Sequence, residues 1–188
     1  MKSYKTLLYF LITGLFLYSN LLGMAGDGKK VSVIIVGHGA PAKDFPKLKE
    51  YFKLHDSHTP EAEEIENELR NWPRNEENDP YWAGFMKIVE IFKSKFQNFH
   101  SVHYAFNEMC APTVGEALKK ASEDKPDLIL VTSIMFTPGG GHSEKDIPAA
   151  IEMFQEEHPE IKIEYAWPYS QESLANFINS HLLRFIDK

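Results

Sequence analysis

An α/β fold, with a mostly parallel sheet of about four strands and helices on both faces, follows from three observations. Short runs rich in β-branched and aromatic residues alternate with longer segments whose apolar residues recur every three or four positions. Alternation of that kind selects a parallel sheet in a three-layer, flavodoxin-like arrangement. A length of 188 residues, 43% hydrophobic and 25% charged, fits one globular domain.

The N-terminal segment stands apart from that domain. Met1–Lys5 carries two lysines, Thr6–Leu22 is nearly all apolar, and Gly23, Met24, Ala25 and Gly26 follow. This order matches a secretory signal peptide, with a cut expected after Ala25. Retained, the same 17-residue apolar run would be an N-terminal membrane anchor, close to the lower length limit for a span. Residues 1–25 are therefore expected to export the domain at 30–188 to a periplasmic or extracellular-facing location. Cleavage would remove Lys2 and Lys5 and no acid, deepening the formal net charge of −7 by two. So acidic a domain argues against nucleic acid and anionic lipid as partners. Cys110 is the sole cysteine, so no internal disulfide supports the fold.

Val31–Val36 (VSVIIV), ending at Gly37, reads as a buried first strand. Ser101–Phe106 and Leu128–Phe136 supply the second and third, and the more polar Lys162–Ala166 a fourth at an edge. Asp79–Phe96 is helical by its spacing of Trp82, Phe85, Met86, Val89, Phe92 and Phe96. Thr113–Ser122 opens a helix after Pro112, and Ser143–Glu157 another, with Ser143 as N-cap and Asp146 at the third position. Gln171–Ile186 is the last. Residues 43–78 are too long for a strand-to-helix connection and form an insertion with a short acidic helix at Ala62–Leu69. Its acids and the polar run Arg74–Asp79 are expected in solvent. Because the insertion leaves from the first strand's carboxyl end, a lid or wall over a site there is the alternative.

Ligands of open parallel sheets bind at the carboxyl ends of the strands. The first strand is followed there by Gly37-His38-Gly39, the second by Asn107-Glu108, and the third by Gly139-Gly140-Gly141-His142. Three strand ends thus deliver His38, Glu108 and His142 to one rim. Two imidazoles and a carboxylate suit a divalent Co, Ni, Fe or Zn ion and leave coordination positions open. His55, His58, His100, His103, His158 and His181 fit surface or structural positions better. The glycine run lacks the motifs of nucleotide-binding loops, Cys110 reads as a buried thiol in preference to a nucleophile, and Ser143 lacks a nucleophile-elbow pattern. No organic cofactor is expected.

The segments VGHGAP, AFNEMCAP and MFTPGGGHSEKDIP resemble the class II tetrapyrrole chelatases. They are most similar to the short sirohydrochlorin chelatases that insert cobalt, nickel or iron. The resemblance runs from about Val31 to Tyr169, broken by the insertion, and GGHSEKDIP is its most specific part. It implies that His38 and His142 bind the incoming metal and assist removal of pyrrole protons, with Glu108 as acidic partner. It implies a tetrapyrrole substrate lying over Gly139, Gly140 and Gly141, with Trp167, Trp82 or Tyr169 available to stack on it. The nearest cations for that ligand's carboxylates are Lys43 and Lys145. Single-domain relatives often pair, so a homodimer is expected unless the insertion closes the cleft within one chain. The alternative to a lyase is an exported metal- or haem-binding carrier with the same rim and no turnover. A metal-dependent hydrolase is a third reading, without a motif of its own.

Overall fold

The computed structural model describes residues 28–186; the segment read as a signal or anchor lies outside them. Four strands form one parallel sheet: β1 (Val31–Gly37), β2 (Ser101–Phe106), β3 (Leu128–Ser133) and β4 (Ile163–Tyr165). Their order is β2-β1-β3-β4, with Val36 opposite Ala105 on one side and Ser133 on the other. The chain therefore reverses its direction of winding beside β1, and three strand ends crowd round one crevice. β4 is at an edge, as its polarity predicts.

The helices are α1 (Leu48–Leu54), α2 (Pro60–Arg70), α3 (Pro80–Lys95), α4 (Val114–Ser122), α5 (Ile147–Glu157) and α6 (Gln171–Leu183). A π-helical turn, His142–Asp146, runs into α5. Period-two alternation sorts the strand residues between two cores. Ile34, Val36, Ala105, Ile129 and Val131 face α4 and α5, while Val33, Ile35 and Phe106 meet Phe85 and Val89 of α3. A reciprocal capping box between Thr113 and Glu116 sets the start of α4. In α6, Phe177, Ile178 and Leu182 remain exposed. Among the described residues no helix is long and apolar enough to cross a membrane.

Two expectations fail here for local reasons. The third strand stops at Ser133, three residues short of Phe136. The Ser133 hydroxyl accepts the Met135 N–H at 3.0 Å, and neighbouring β4 has already ended at Tyr165, opposite Val131. Ser143 is no N-cap, and Asp146 is not the third residue of the helix. The wider π turn places Ser143 inside, with 2% of its surface exposed, and α5 proper starts only at Ile147.

The insertion has a small core of its own, built from Ala42, Phe45, Tyr51, Ile65 and Leu69, against which Trp72 and Met109 pack. The acids of α2 are mostly in solvent, as expected. Within the run Arg74–Asp79, Asn75, Glu76 and Glu77 are exposed as expected, but its ends are not: the Arg74 and Asp79 side chains are 4% and 1% exposed and form an ion pair. Arg74 also donates to the carbonyls of Ala40 at 2.7 Å, Leu69 at 3.0 Å, and Met109. Asp79 in turn caps α3, accepting the Trp82 N–H at 2.9 Å. A sequence rich in charge can be buried wherever each charge finds such a set of partners.

Leu118, fully buried between α4 and the sheet, is expected to cost about 2–5 kcal/mol when cut to Ala, read as a lower urea midpoint at unchanged slope. Arg74→Ala strands the Asp79 carboxylate in the interior and should cost roughly 3–5 kcal/mol in the same measurement. A loss below about 1 kcal/mol, the range of a surface pair, would contradict the buried geometry.

Candidate metal centre

His38 is the first residue past β1. Its backbone N–H donates to the Tyr81 hydroxyl at 2.7 Å, which ties it to the first turn of α3. Its Nδ1 lies 2.8 Å from the Gly39 carbonyl and 3.3 Å from Glu108 Oε1. Gly39 has φ +103°, and a Cβ there would fall 1.9 Å from the Glu108 carbonyl oxygen. Only glycine permits this approach of the two loops.

Glu108 is held by an extension of the parallel ladder beyond the strands. Asn107 N–H donates to Gly37 O at 2.9 Å, and Glu108 N–H to His38 O at 3.0 Å. The next residue, Met109, takes a left-handed conformation at φ 59°, and Cys110 N–H closes back on Glu108 O at 2.7 Å. The turn thereby leaves the carboxylate on the His38 side.

His142 arrives from the third strand end and opens the π turn. Its ring meets that of His38 edge-on, with centroids 4.7 Å apart and an interplanar angle of 87°. Its Nε2 lies 4.0 Å from Glu108 Oε2. One ligand atom from each of His38, Glu108 and His142 lies within 4.8 Å of the others, and all three residues are half-buried. Donors sharing one ion stand at most about 4.2 Å apart across it, so small side-chain rotations would close the trio round a cation.

Surrounding groups hold this arrangement. Asp146 Oδ2 lies 2.6 Å from His142 Nδ1. The His142 hydrogen bond holds the Asp146 carboxyl below the usual carboxylate range, against a smaller opposing effect of burial and with help from Asn107. Burial, reinforced by the negative charge of Glu108, pushes the Tyr51 phenol up to about 12, so it stays neutral. Cys110 is fully buried, its thiol donates to Ala40 O at 3.4 Å, and burial pushes it up to about 11. A thiol so placed is not a nucleophile at neutral pH.

The other candidates separate from the trio to different degrees. Gly139, Gly140 and Gly141 lead directly into His142, and a Cβ on any of them would meet nothing within 4 Å. Gly139 N–H already donates to Glu144 Oε1 at 2.8 Å, so that amide is closed off by a carboxylate. Trp167 is pinned by its indole N–H to Met135 O at 3.0 Å and stacks on Tyr165. Tyr169 contacts Thr132 through its hydroxyl at 3.0 Å, and Trp82, in the first turn of α3, is partly buried against the core. His103 pairs with Asp124 at 2.8 Å and His55 with its neighbour Asp56, both structural or surface roles. Tyr81, Arg74 and Asp146 escape the sequence reading. Of these only Asp146 carried a usable signal, its spacing of four residues from His142 just ahead of an apolar helix.

Comparison with known proteins identifies relatives of the chain. A curated sirohydrochlorin cobaltochelatase of Methanopyrus kandleri is 36% identical over 69 residues, covering 37% of this chain and 48% of that protein. The chain thus matches about half the length of that relative. A crystal structure of a cobalamin biosynthesis CbiX protein from Marinobacter aquaeolei superimposes with a TM-score of 0.53 at 18% identity, over 84% of this chain and 98% of that one; the fold is shared. The sirohydrochlorin chelatase SirB of Bacillus subtilis subspecies spizizenii, in complex with cobalt, superimposes with a TM-score of 0.48 at 17% identity, over 74% of this chain and 43% of that one. The CbiX family model matches residues 77–182, a span that contains Glu108 and His142 and begins after His38. Since that match takes in more than half of the sequence, the chain belongs to the CbiX family.

Proposed function

We propose that this chain is a lyase that inserts a divalent metal ion into a sirohydrochlorin-type tetrapyrrole, with cobalt the first candidate and nickel or iron next. The observation that carries the reading is the convergence of His38, Glu108 and His142 within 4.8 Å at the strand-order reversal. Family membership and the curated cobaltochelatase relative support the substrate class.

Insertion exchanges two pyrrole N–H protons for one M²⁺, so two protons leave as the ion enters. The site must hold a labile ion and accept protons beside it. A neutral imidazole performs either task, and the Glu108 carboxylate stabilises both the cation and a protonated histidine. Half-burial leaves coordination positions open for the macrocycle nitrogens. The exposed Gly139–Gly141 segment gives a flat ligand room against the backbone, with Trp167 and Tyr169 at the far side of the rim. A second copy of the chain, or the insertion, would complete the cleft.

Export remains part of the proposal. It rests on the charged, apolar and small-residue order of residues 1–26, and it would place the reaction in the periplasm or at an outward face. That location and the acidic charge support a second reading, a metal or haem carrier that uses the same rim.

Purified protein incubated with sirohydrochlorin and Co²⁺ separates the two. The lyase reading expects the absorbance change of metal insertion well above the protein-free rate, and a loss of at least about 100-fold in His142→Ala. A rate equal to the protein-free control, with Co²⁺ still bound, would leave the carrier reading.

A further inference from the structure

We infer that Asp146 is a positioning residue for metal capture, holding the His142 imidazole with its proton on Nδ1 so that Nε2 alone faces Glu108 and His38. The inference rests on the metal-site reading above and adds a residue to it.

The geometry is specific. Asp146 Oδ2 stands 2.6 Å from His142 Nδ1, too close for an anionic oxygen to face a bare nitrogen lone pair. A proton therefore lies between them, and Nδ1 is the donor. The opposite nitrogen, Nε2, is the one turned to Glu108, at 4.0 Å. The Asn107 amide nitrogen donates to Asp146 Oδ2 at 3.4 Å; it also lies 2.7 Å from Nδ1 and, since an amide N–H can only donate, it competes with the carboxylate for that nitrogen. Left unconstrained, an imidazole shares its proton between the two nitrogens, and an Nε2–H cannot ligate a metal. The carboxylate removes that inactive form and strengthens the ligand by charge.

His38 is held differently. Its Nδ1 faces the Gly39 carbonyl at 2.8 Å, a backbone acceptor that no substitution removes. The two histidines thus differ in what orients them: the nearest acceptor to His38 Nδ1 is a backbone carbonyl, with Glu108 Oε1 at 3.3 Å, whereas that of His142 Nδ1 is the Asp146 side chain. Asp146 has no competing structural duty: its side chain is 54% exposed and makes no capping hydrogen bond to α5.

The test uses Co²⁺ alone, titrated calorimetrically into the wild type, Asp146→Ala, Asp146→Glu and His142→Ala. Asp146→Ala is expected to bind Co²⁺ about 10–100-fold more weakly at an unchanged melting temperature, and Asp146→Glu to recover most of the affinity. Long-range proton–nitrogen NMR of the metal-free protein should show His142 as a single Nδ1–H tautomer, replaced by a mixture in Asp146→Ala. An unchanged affinity in Asp146→Ala, or a wild-type proton on Nε2, would overturn the inference while a loss in His142→Ala upheld the metal site. Unchanged Co²⁺ binding in His142→Ala would overturn the site itself, and this inference with it.

Discussion

The buried guanidinium of Arg74 ties together the parts from which the site is made. Its acceptors come from four places: Ala40 in the loop after β1, Leu69 in α2, Asp79 at the head of α3, and Met109 in the loop after β2. Ala40 is two residues past His38, and Met109 is the neighbour of Glu108. A charge removed from water must keep its partners close, so the insertion and both loops are fixed relative to one another. The insertion is on this view less a lid than a buttress.

Two members of the trio therefore stand on rigid ground. His38 and Glu108 are joined by the ladder that continues past the strand ends and by the close approach at Gly39. His142 follows three exposed glycines and is steadied mainly by Asp146 and Asn107. A site proposed to take up an ion and pass it on needs this mixture. Fixed donors define where the ion sits, and one donor on a more pliant loop allows the coordination to open again.

Much of the fold was legible because its signals are local. Val31–Val36 and Leu128–Val131 announce buried strands by composition, and the spacing from Trp82 to Phe96 announces α3. The errors fall where tertiary partners outvote local pattern. The hydrophobic run 134–136 reads as strand, but β4 has already ended and a serine hydroxyl takes the Met135 donor. Ser143 and Asp146 have the spacing of a capped helix start, yet a π turn buries one and gives the other to His142. Arg74–Asp79 reads as solvated, and no single-sequence pattern reveals that the carbonyls of Ala40, Leu69 and Met109 converge on that arginine.

The trio at the rim shows both contributions. The sequence by itself determined that His38, Glu108 and His142 follow three strands of one parallel sheet, because strand type and chain direction are written in local periodicity and parallel strands end on the same side. Only the tertiary structure decided that strand order β2-β1-β3 makes those ends adjacent, that Gly39 lets two loops touch, and that Asp146 and Arg74 stand behind the donors. Apart from the four-residue pair His142–Asp146, those facts depend on contacts between residues 34 to 97 positions apart, and such contacts arise from packing and the satisfaction of buried charge, which leave no periodic trace along the chain.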